Sequence, residues 1–144
     1  MVRIVGLLRR VLLGSGELPA DLRAALAAEE HLVLEEGLPG SVTYRNFRAA
    51  GQFAAWRKNA VSGAIAVTDQ RLVVWAGRFK HIDLPHDHPV RAGIKVAAER
   101  ADRICFGYDA GATNTSISGQ VEVRLRTRQA ADIAGLLGRL AARG

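Results

Sequence analysis

Four side chains that could bind a metal ion are concentrated in one short stretch of the sequence. They are three imidazoles and one carboxylate, namely His81, Asp83, His86 and His88. Imidazole combined with carboxylate suits zinc or another divalent ion. Their spacing matches no established metal motif, and the prolines among them are typical of a polar junction between a strand and a loop. We therefore expect no metal here, and these four residues are the candidates that a test would address.

The sequence shows no arrangement of residues typical of an enzyme. Cys105 is its only thiol and falls in a segment of alternating apolar residues, where a buried and inert cysteine is the usual case. There is no Gly-x-Ser-x-Gly elbow, no phosphate loop and no His-Glu-x-x-His pair. We expect no catalytic residue and no cofactor, and we identify no site for a small-molecule substrate.

The cationic side chains are concentrated in the middle of the chain. The net charge of the 144 residues is +6, and residues 41–80 alone hold seven cations against one acid. Four of these cations alternate with aromatic residues and are the candidate contacts for an anion: Arg45, Arg48, Arg57 and Lys58. Aromatic and arginine side chains on a sheet can bind single-stranded nucleic acid, which is one hypothesis for this stretch. A solvated face of the sheet is the simpler interpretation.

Residues 2–13 have the pattern of a short amphipathic helix. One arc of the helical wheel includes Ile4, Leu8 and Val11, and the opposite side carries Arg3, Arg9 and Arg10. Because a free helix of this length is marginal in water, its apolar arc must be buried on another surface. That surface could be the rest of the chain, a second protomer or an anionic membrane. We favour contact between protomers.

The same segment bears on localisation and domain organisation. Its apolar stretches are interrupted by arginines and are too short for a signal-sequence core or a bilayer span. We therefore expect a cytoplasmic protein, with attachment to the inner face of the membrane as the alternative. Gly14-Ser-Gly16 is typical of a hinge. The predicted organisation is an amphipathic segment over residues 1–16 and one domain over residues 17–144.

After the hinge, the pattern predicts a short helix followed by antiparallel strands. Pro19 opens the helical run, and from residue 31 apolar and polar residues alternate, which is typical of strands with one dry face. Residues 31–36 and 41–47 are predicted to form a hairpin around the turn-rich Gly37-Leu-Pro-Gly40. Residues 109–119, rich in small polar side chains, are predicted to form a mobile loop.

Helical spacing returns at the C-terminal end of the sequence. Thr127 is the predicted N-cap of a helix whose apolar residues recur on one face. We predict a mostly β fold, an antiparallel barrel of about seven strands capped by this helix. The core predicted between sheet and helix comprises Ile65, Val67, Leu72, Val74, Val121, Val123, Leu125, Ile133, Leu137 and Leu140.

One predicted hairpin resembles a known family. The sequence Gly63-Ala-Ile-Ala-Val-Thr-Asp-Gln-Arg-Leu-Val-Val-Trp75 is similar to a strand–turn–strand unit of bacterial pleckstrin-homology-like (PH-like) domains, and more loosely of GRAM domains. The resemblance extends in strand order from about Glu29 to Leu140, and it implies the PH-like barrel. Pleckstrin-homology domains that hold phosphoinositides usually carry basic residues around the first hairpin loop, whereas Gly37-Leu-Pro-Gly40 has none. The resemblance therefore implies a fold and leaves the ligand open.

These patterns lead to three hypotheses for function. The first is a noncatalytic PH-like module for binding or assembly, which contacts a protein partner or a second copy of itself. The second is a peripheral membrane adaptor that uses the basic amphipathic N-terminus. The third is a nucleic-acid-binding module.

Overall fold

The computed structural model describes residues 15–112 and 114–143. The chain begins with helix α1 (Ala20–Leu26) and continues through β1 (His31–Ala49), β2 (Gln52–Thr68), β3 (Arg71–Ala76) and β4 (Phe79–Pro85). After a 3-10 helix (Pro89–Gly93) come β5 (Lys95–Arg100) and β6 (Arg103–Asp109). A second 3-10 helix (Ala110–Ala112), strand β7 (Ser118–Arg126) and helix α2 (Ala130–Arg143) complete the described chain.

The seven strands of the described chain form one antiparallel sheet. Its order is β4-β3-β2-β1-β7-β6-β5, so all strands that follow each other in sequence are paired except β4 and β5, and the first strand pairs with the last. Strands β4 and β5 lie at the two edges and do not pair with each other, so the sheet is not closed by hydrogen bonds. The prediction of a mostly β fold with about seven strands and a C-terminal helix is confirmed.

The first hairpin was predicted at the wrong place. Instead of turning at Gly37-Leu-Pro-Gly40, β1 continues through this stretch as one strand of 19 residues. Gly37 has a φ of +68° and lies where the register with β2 shifts, which is typical of a β-bulge. Turn-forming residues therefore bend one strand here and do not reverse the chain.

The chain reverses between Ala49 and Gln52, which pair with each other. Gly51 has a φ of +69°, a conformation that a tight hairpin turn requires and glycine adopts without strain. β2 accordingly begins at Gln52, well before Gly63, the first residue of the second hairpin that the sequence predicts. Residues 52–60 are exposed except for the half-buried Ala54, so they lack the alternation that would mark a strand.

The predicted core is confirmed. All ten residues belong to one apolar cluster between the concave face of the sheet and α2, nine of them buried and Leu140 partly buried. Ile133 and Leu137 of α2 have no exposed surface and pack into this cluster beside Phe106 of β6. The guanidinium of the buried Arg91 donates to the backbone carbonyl of Leu137 over 3.3 Å, which ties the first 3-10 helix to α2.

The opposite face of the sheet is covered locally by α1. Leu18 and Leu26 pack against Ala64, Ala66 and Val73 in a second apolar cluster. Residues 61–68 of β2 are therefore buried on both faces without a break. The N-cap predicted at Thr127 is confirmed in part. The Thr127 hydroxyl accepts a hydrogen bond from Gln129 N (3.1 Å) and caps the turn before α2, whereas α2 itself begins at Ala130.

We expect the substitution Leu137→Ala to lower the free energy of unfolding by about 2–5 kcal/mol, because it leaves a cavity between α2 and the sheet. Chemical denaturation followed by circular dichroism measures this change. Arg139→Ala on the exposed side of the same helix is the matched control and should change stability by no more than about 0.5 kcal/mol. Equal effects of the two substitutions would contradict the packing of α2 described above.

Candidate functional site

The four candidate metal ligands are held by separate structural contacts. Asp83 forms ion pairs with Arg71 (3.1 Å) and Lys80 (3.2 Å), so its carboxylate is compensated. His86 Nε2 lies 2.9 Å from the carbonyl oxygen of Thr68. His88 Nδ1 accepts a hydrogen bond from Val90 N (3.1 Å), and His81 Nδ1 lies 2.7 Å from the hydroxyl of Tyr108. Within residues 15–112 and 114–143, no group of three His, Cys, Asp or Glu side chains could hold a metal ion.

The β2–β3 turn, which lies within the stretch that resembles PH-like domains, is held by side-chain hydrogen bonds of Thr68. The Thr68 hydroxyl accepts from the backbone N–H groups of Gln70 (3.2 Å) and Arg71 (3.1 Å), and it donates to the Glu29 carboxylate over 2.7 Å. Arg71 in turn forms an ion pair with Glu29 at 2.9 Å. These contacts anchor the segment before β1 to the β2–β3 turn. The Thr-Asp-Gln-Arg sequence therefore has a structural explanation that requires no ligand.

A partly buried polar pair, His81 and Tyr108, lies where the two ends of the sheet approach each other. His81 sits at a shift in the β3–β4 register, between the pairs Trp75–Lys80 and Val74–Ile82. A bulge adds one residue to a strand and redirects its side chain, which explains why His81 meets Tyr108 of β6 although Ile82 is buried in the core. Both rings line a cavity of about 450 Å³ between β4, β6 and the first 3-10 helix. The pair bridges strands that share no backbone hydrogen bond.

Burial keeps this pair uncharged. Desolvation lowers the pKa of His81 from 6.5 to about 4, and the backbone carbonyl of Ala76 opposes the shift only in part. Desolvation likewise raises the pKa of the Tyr108 phenol above its usual range. At neutral pH a neutral imidazole therefore meets a protonated phenol. Such a pair can link β4 to β6 without the cost of burying a charge.

The cysteine has the environment that the sequence predicted. Cys105 is buried in β6, and burial raises the pKa of its thiol to about 11. A protonated, enclosed thiol is a poor nucleophile and a poor metal ligand. The sequence-based prediction of a buried cysteine is confirmed.

The four candidate anion contacts lie together on the distal part of the β1–β2 hairpin, residues 44–60, which we call the outer hairpin. Arg45 forms an ion pair with Glu122 of β7 at 2.7 Å, and this hydrogen bond lowers the pKa of Glu122. Arg48 lies 4.7 Å from the ring centre of Phe53, and Arg57 lies 4.9 Å from that of Tyr44. The cations are thus brought together, although one of them is already neutralised by an acid.

Two aromatic side chains of the outer hairpin are exposed to solvent. Phe53 is 58% exposed and Trp56 is 59% exposed. Both belong to the part of β2 that extends beyond its partner β3, since β3 pairs with β2 only from Gly63 to Val67. Along the edge facing away from β1, residues 53–60 therefore have no partner strand among the residues that the structure describes.

The charge of the outer hairpin is one-sided. No aspartate or glutamate occurs between Glu36 and Asp69 in the sequence. Among described residues, the cations Arg48, Arg57 and Lys58 form no ion pair. This absence of acids over more than thirty residues was visible in the sequence. The free edge was not, because residues 52–60 lack strand periodicity. The outer hairpin is the candidate functional site.

The remaining sequence-based candidates fall at the N-terminus. Ile4, Leu8, Val11, Arg3, Arg9 and Arg10 lie outside the described residues. Within the described part of the chain, no helix is long and apolar enough to cross a bilayer.

No protein-family model matches the sequence, and none of the curated proteins matches it.

Because the pKa of His81 is depressed, the stability of the fold should depend on pH. The unfolded imidazole binds a proton near pH 6.5 and the folded one only near pH 4, so stability is full above pH 6.5 and falls as the pH drops through this window. The loss of stability amounts to at most about 3–4 kcal/mol, since one pKa unit corresponds to about 1.4 kcal/mol. His81→Gln should remove this part of the dependence in urea denaturation, and NMR titration of the His81 ring should give a midpoint near pH 4. A ring that titrates near its ordinary pKa would contradict its desolvation.

Proposed function

We propose that this chain is a noncatalytic binding module of the PH-like type that docks a protein partner on the outer hairpin. The observation that carries this proposal is the exposure of Phe53 and Trp56 beside Arg48, Arg57 and Lys58 on a surface without acids. Tryptophan and arginine are the residues that most often dominate the binding energy of protein interfaces. Exposed aromatic side chains of this size gain free energy when a partner removes them from water.

The cation–aromatic contacts favour a prepared surface. Arg48 is stacked on Phe53 and Arg57 on Tyr44, so both guanidinium groups are restrained before a partner arrives. A restrained side chain loses less conformational entropy on binding than a free one. The same stacking leaves the edges of each guanidinium available to donate hydrogen bonds to a carboxylate.

Two features support a noncatalytic role within a PH-like architecture. The histidine and aspartate side chains that were the candidate metal ligands form hydrogen bonds or ion pairs within the fold. The Cys105 thiol is protonated at neutral pH. The strand order, the hydrogen-bonded β2–β3 turn and the packing of α2 against one face support the PH-like barrel, with the His81–Tyr108 pair bridging its open side. A single buried free thiol is also suited to a reducing cytoplasm.

Attachment to an anionic membrane is the second candidate, because exposed tryptophan and phenylalanine beside lysine and arginine are also typical of membrane-interface anchors. We place it second because lipid head groups do not present the alternating N–H and C=O groups that would pair with the backbone edge of residues 53–60. Self-association through two outer hairpins is disfavoured, since it would bring Arg57 and Lys58 of both copies together.

Site-specific photo-cross-linking in cells that make the protein tests this proposal. Trp56→p-benzoylphenylalanine should yield a covalent adduct with another protein, because Trp56 lies within the proposed interface. The same replacement at Ala101, in the exposed turn between β5 and β6 at the opposite end of the sheet, is the matched control and should yield no such adduct. Adding Arg57→Gln and Lys58→Gln should weaken the adduct at position 56.

Three results would contradict the proposal. They are equal cross-linking at positions 56 and 101, adducts at position 56 with lipid alone, and adducts that form only with a second copy of this chain. The second result would establish the membrane alternative.

A further inference from the structure

The edge of β2 offers a row of unused backbone hydrogen-bonding groups. Residues 53–60 pair with β1 on one side, and on the other side no strand of the described chain reaches them. Eight residues of strand extend over about 26 Å. This length is sufficient for a short peptide to form a regular ladder with alternate N–H and C=O groups of the edge.

The side chains along this edge divide between the two faces of the hairpin. Successive residues of a strand point to opposite faces, so Trp56 and Lys58 share one face. Phe53 and Arg57 share the other face, which agrees with their contacts to the cross-strand neighbours Arg48 and Tyr44. Each face of the edge therefore carries one aromatic side chain and at least one cation. A strand that adds here meets both kinds of side chain on either face.

The order of these residues along the edge has a direction. The aromatic residues Phe53 and Trp56 lie toward the hairpin turn, and the adjacent cations Arg57 and Lys58 follow them toward the body of the sheet. Two consecutive acidic residues in an added strand would point to opposite faces and could reach one cation each. Apolar or β-branched residues further along that strand would cover the two aromatic rings.

We infer that the edge of β2 over residues 53–60 binds an extended acidic segment of a partner protein, which adds to the sheet as an eighth strand. The inference rests on the proposed function and names the chemistry of its partner: two consecutive Asp or Glu residues beside a short β-branched or aromatic run. The unpaired backbone supplies hydrogen bonds, Arg57 and Lys58 select the acids, and Phe53 and Trp56 contact the apolar residues.

Anionic polymers and lipids satisfy only part of this arrangement. Nucleic acid could neutralise the cations and stack on the aromatic rings. An anionic bilayer could do the same and bury Trp56. Neither presents the alternating N–H and C=O groups that complete a β-ladder. The free strand edge thus distinguishes a peptide from the other two.

Three synthetic peptides, acetylated and amidated at their ends, separate backbone pairing from charge attraction. The first is Ser-Thr-Glu-Glu-Val-Thr-Val-Thr. The second replaces both Glu by Gln, and the third keeps both Glu and replaces the two Val by Pro, which removes backbone donors and disfavours a regular strand. Binding to the full chain is followed by calorimetry, with amide hydrogen exchange of residues 53–60 as the structural readout.

The first peptide should bind and slow exchange at alternate amides of residues 53–60. The Gln peptide should bind about fivefold more weakly, as expected for two exposed ion pairs. The Pro peptide should bind at least about tenfold more weakly. Arg57→Gln with Lys58→Gln should reduce affinity for the first peptide about fivefold. The control Arg100→Gln with Arg128→Gln, which removes the same charge from exposed positions outside the outer hairpin, should leave it unchanged.

Several outcomes overturn the inference. Equal affinity for the Pro peptide, or binding without protection of residues 53–60, would mean that charge alone attracts the peptide. Tight binding of anionic phosphatidylserine vesicles or oligo-dT with no peptide binding would assign the surface to lipid or nucleic acid. If none of the peptides binds while Trp56 cross-links to a protein in cells, strand addition is wrong and the proposed function stands. If no peptide binds and Trp56 yields no adduct with a protein in cells, both the strand addition and the proposed function are wrong.

Discussion

The architecture depends on two close backbone approaches at the middle of the long β1–β2 hairpin, one between β1 and β7 and one between β2 and β3. A side chain on Gly40 would place its Cβ 1.9 Å from the carbonyl oxygen of Arg124, and one on Gly63 would come within 2.5 Å of that of Trp75. The Leu125 side chain occupies the space above both glycines. Because these positions carry no side chain, β7 and β3 can close onto β1 and β2 while the sheet curls around its core. The bulge at Gly37 adds to the bend on the same strand.

Strand length then decides where the sheet ends and the outer hairpin begins. β1 and β2 contain 19 and 17 residues, whereas their neighbours β7 and β3 contain nine and six. β7 still follows β1 as far as Arg48, but β3 leaves β2 at Gly63. The distal part of β2 is therefore an edge strand, although its proximal part lies in the most deeply buried region of the sheet. A single strand serves both as core element and as exposed edge.

The parts of the fold that could be predicted from the sequence are those whose burial imposes a periodic pattern of apolar residues. The core strands and α2 were predictable because one buried face produces alternation at Val121 and Val123 or helical spacing at Ile133 and Leu137. The outer part of β2 was not, because no face of residues 52–60 is buried and cross-strand pairing alone imposes no pattern on side chains. Gly37-Leu-Pro-Gly40 has the composition of a turn, and only the pairing of its last three residues with β2 makes it a bend within one strand. The cations of the candidate site could be predicted from the sequence, whereas the free strand edge beside them depends on the length of β3.

The edges of this sheet are protected in different ways, and the difference bears on function. On the open side of the sheet, between the edge strands β4 and β5, the first 3-10 helix connects these two strands. There the His81–Tyr108 pair links β4 to β6, and α2 packs against β5 and β6. The edge of residues 53–60 has no such cover within the described chain, and its cations alone discourage pairing with a like-charged copy. If charge were needed only for protection, exposed aromatic residues between these cations would work against it, because they favour the association that the charges oppose. The exposed Phe53 and Trp56 are therefore the observation on which the proposal of an acidic partner strand rests, because opposite charge would attract such a strand and like charge would oppose a second copy.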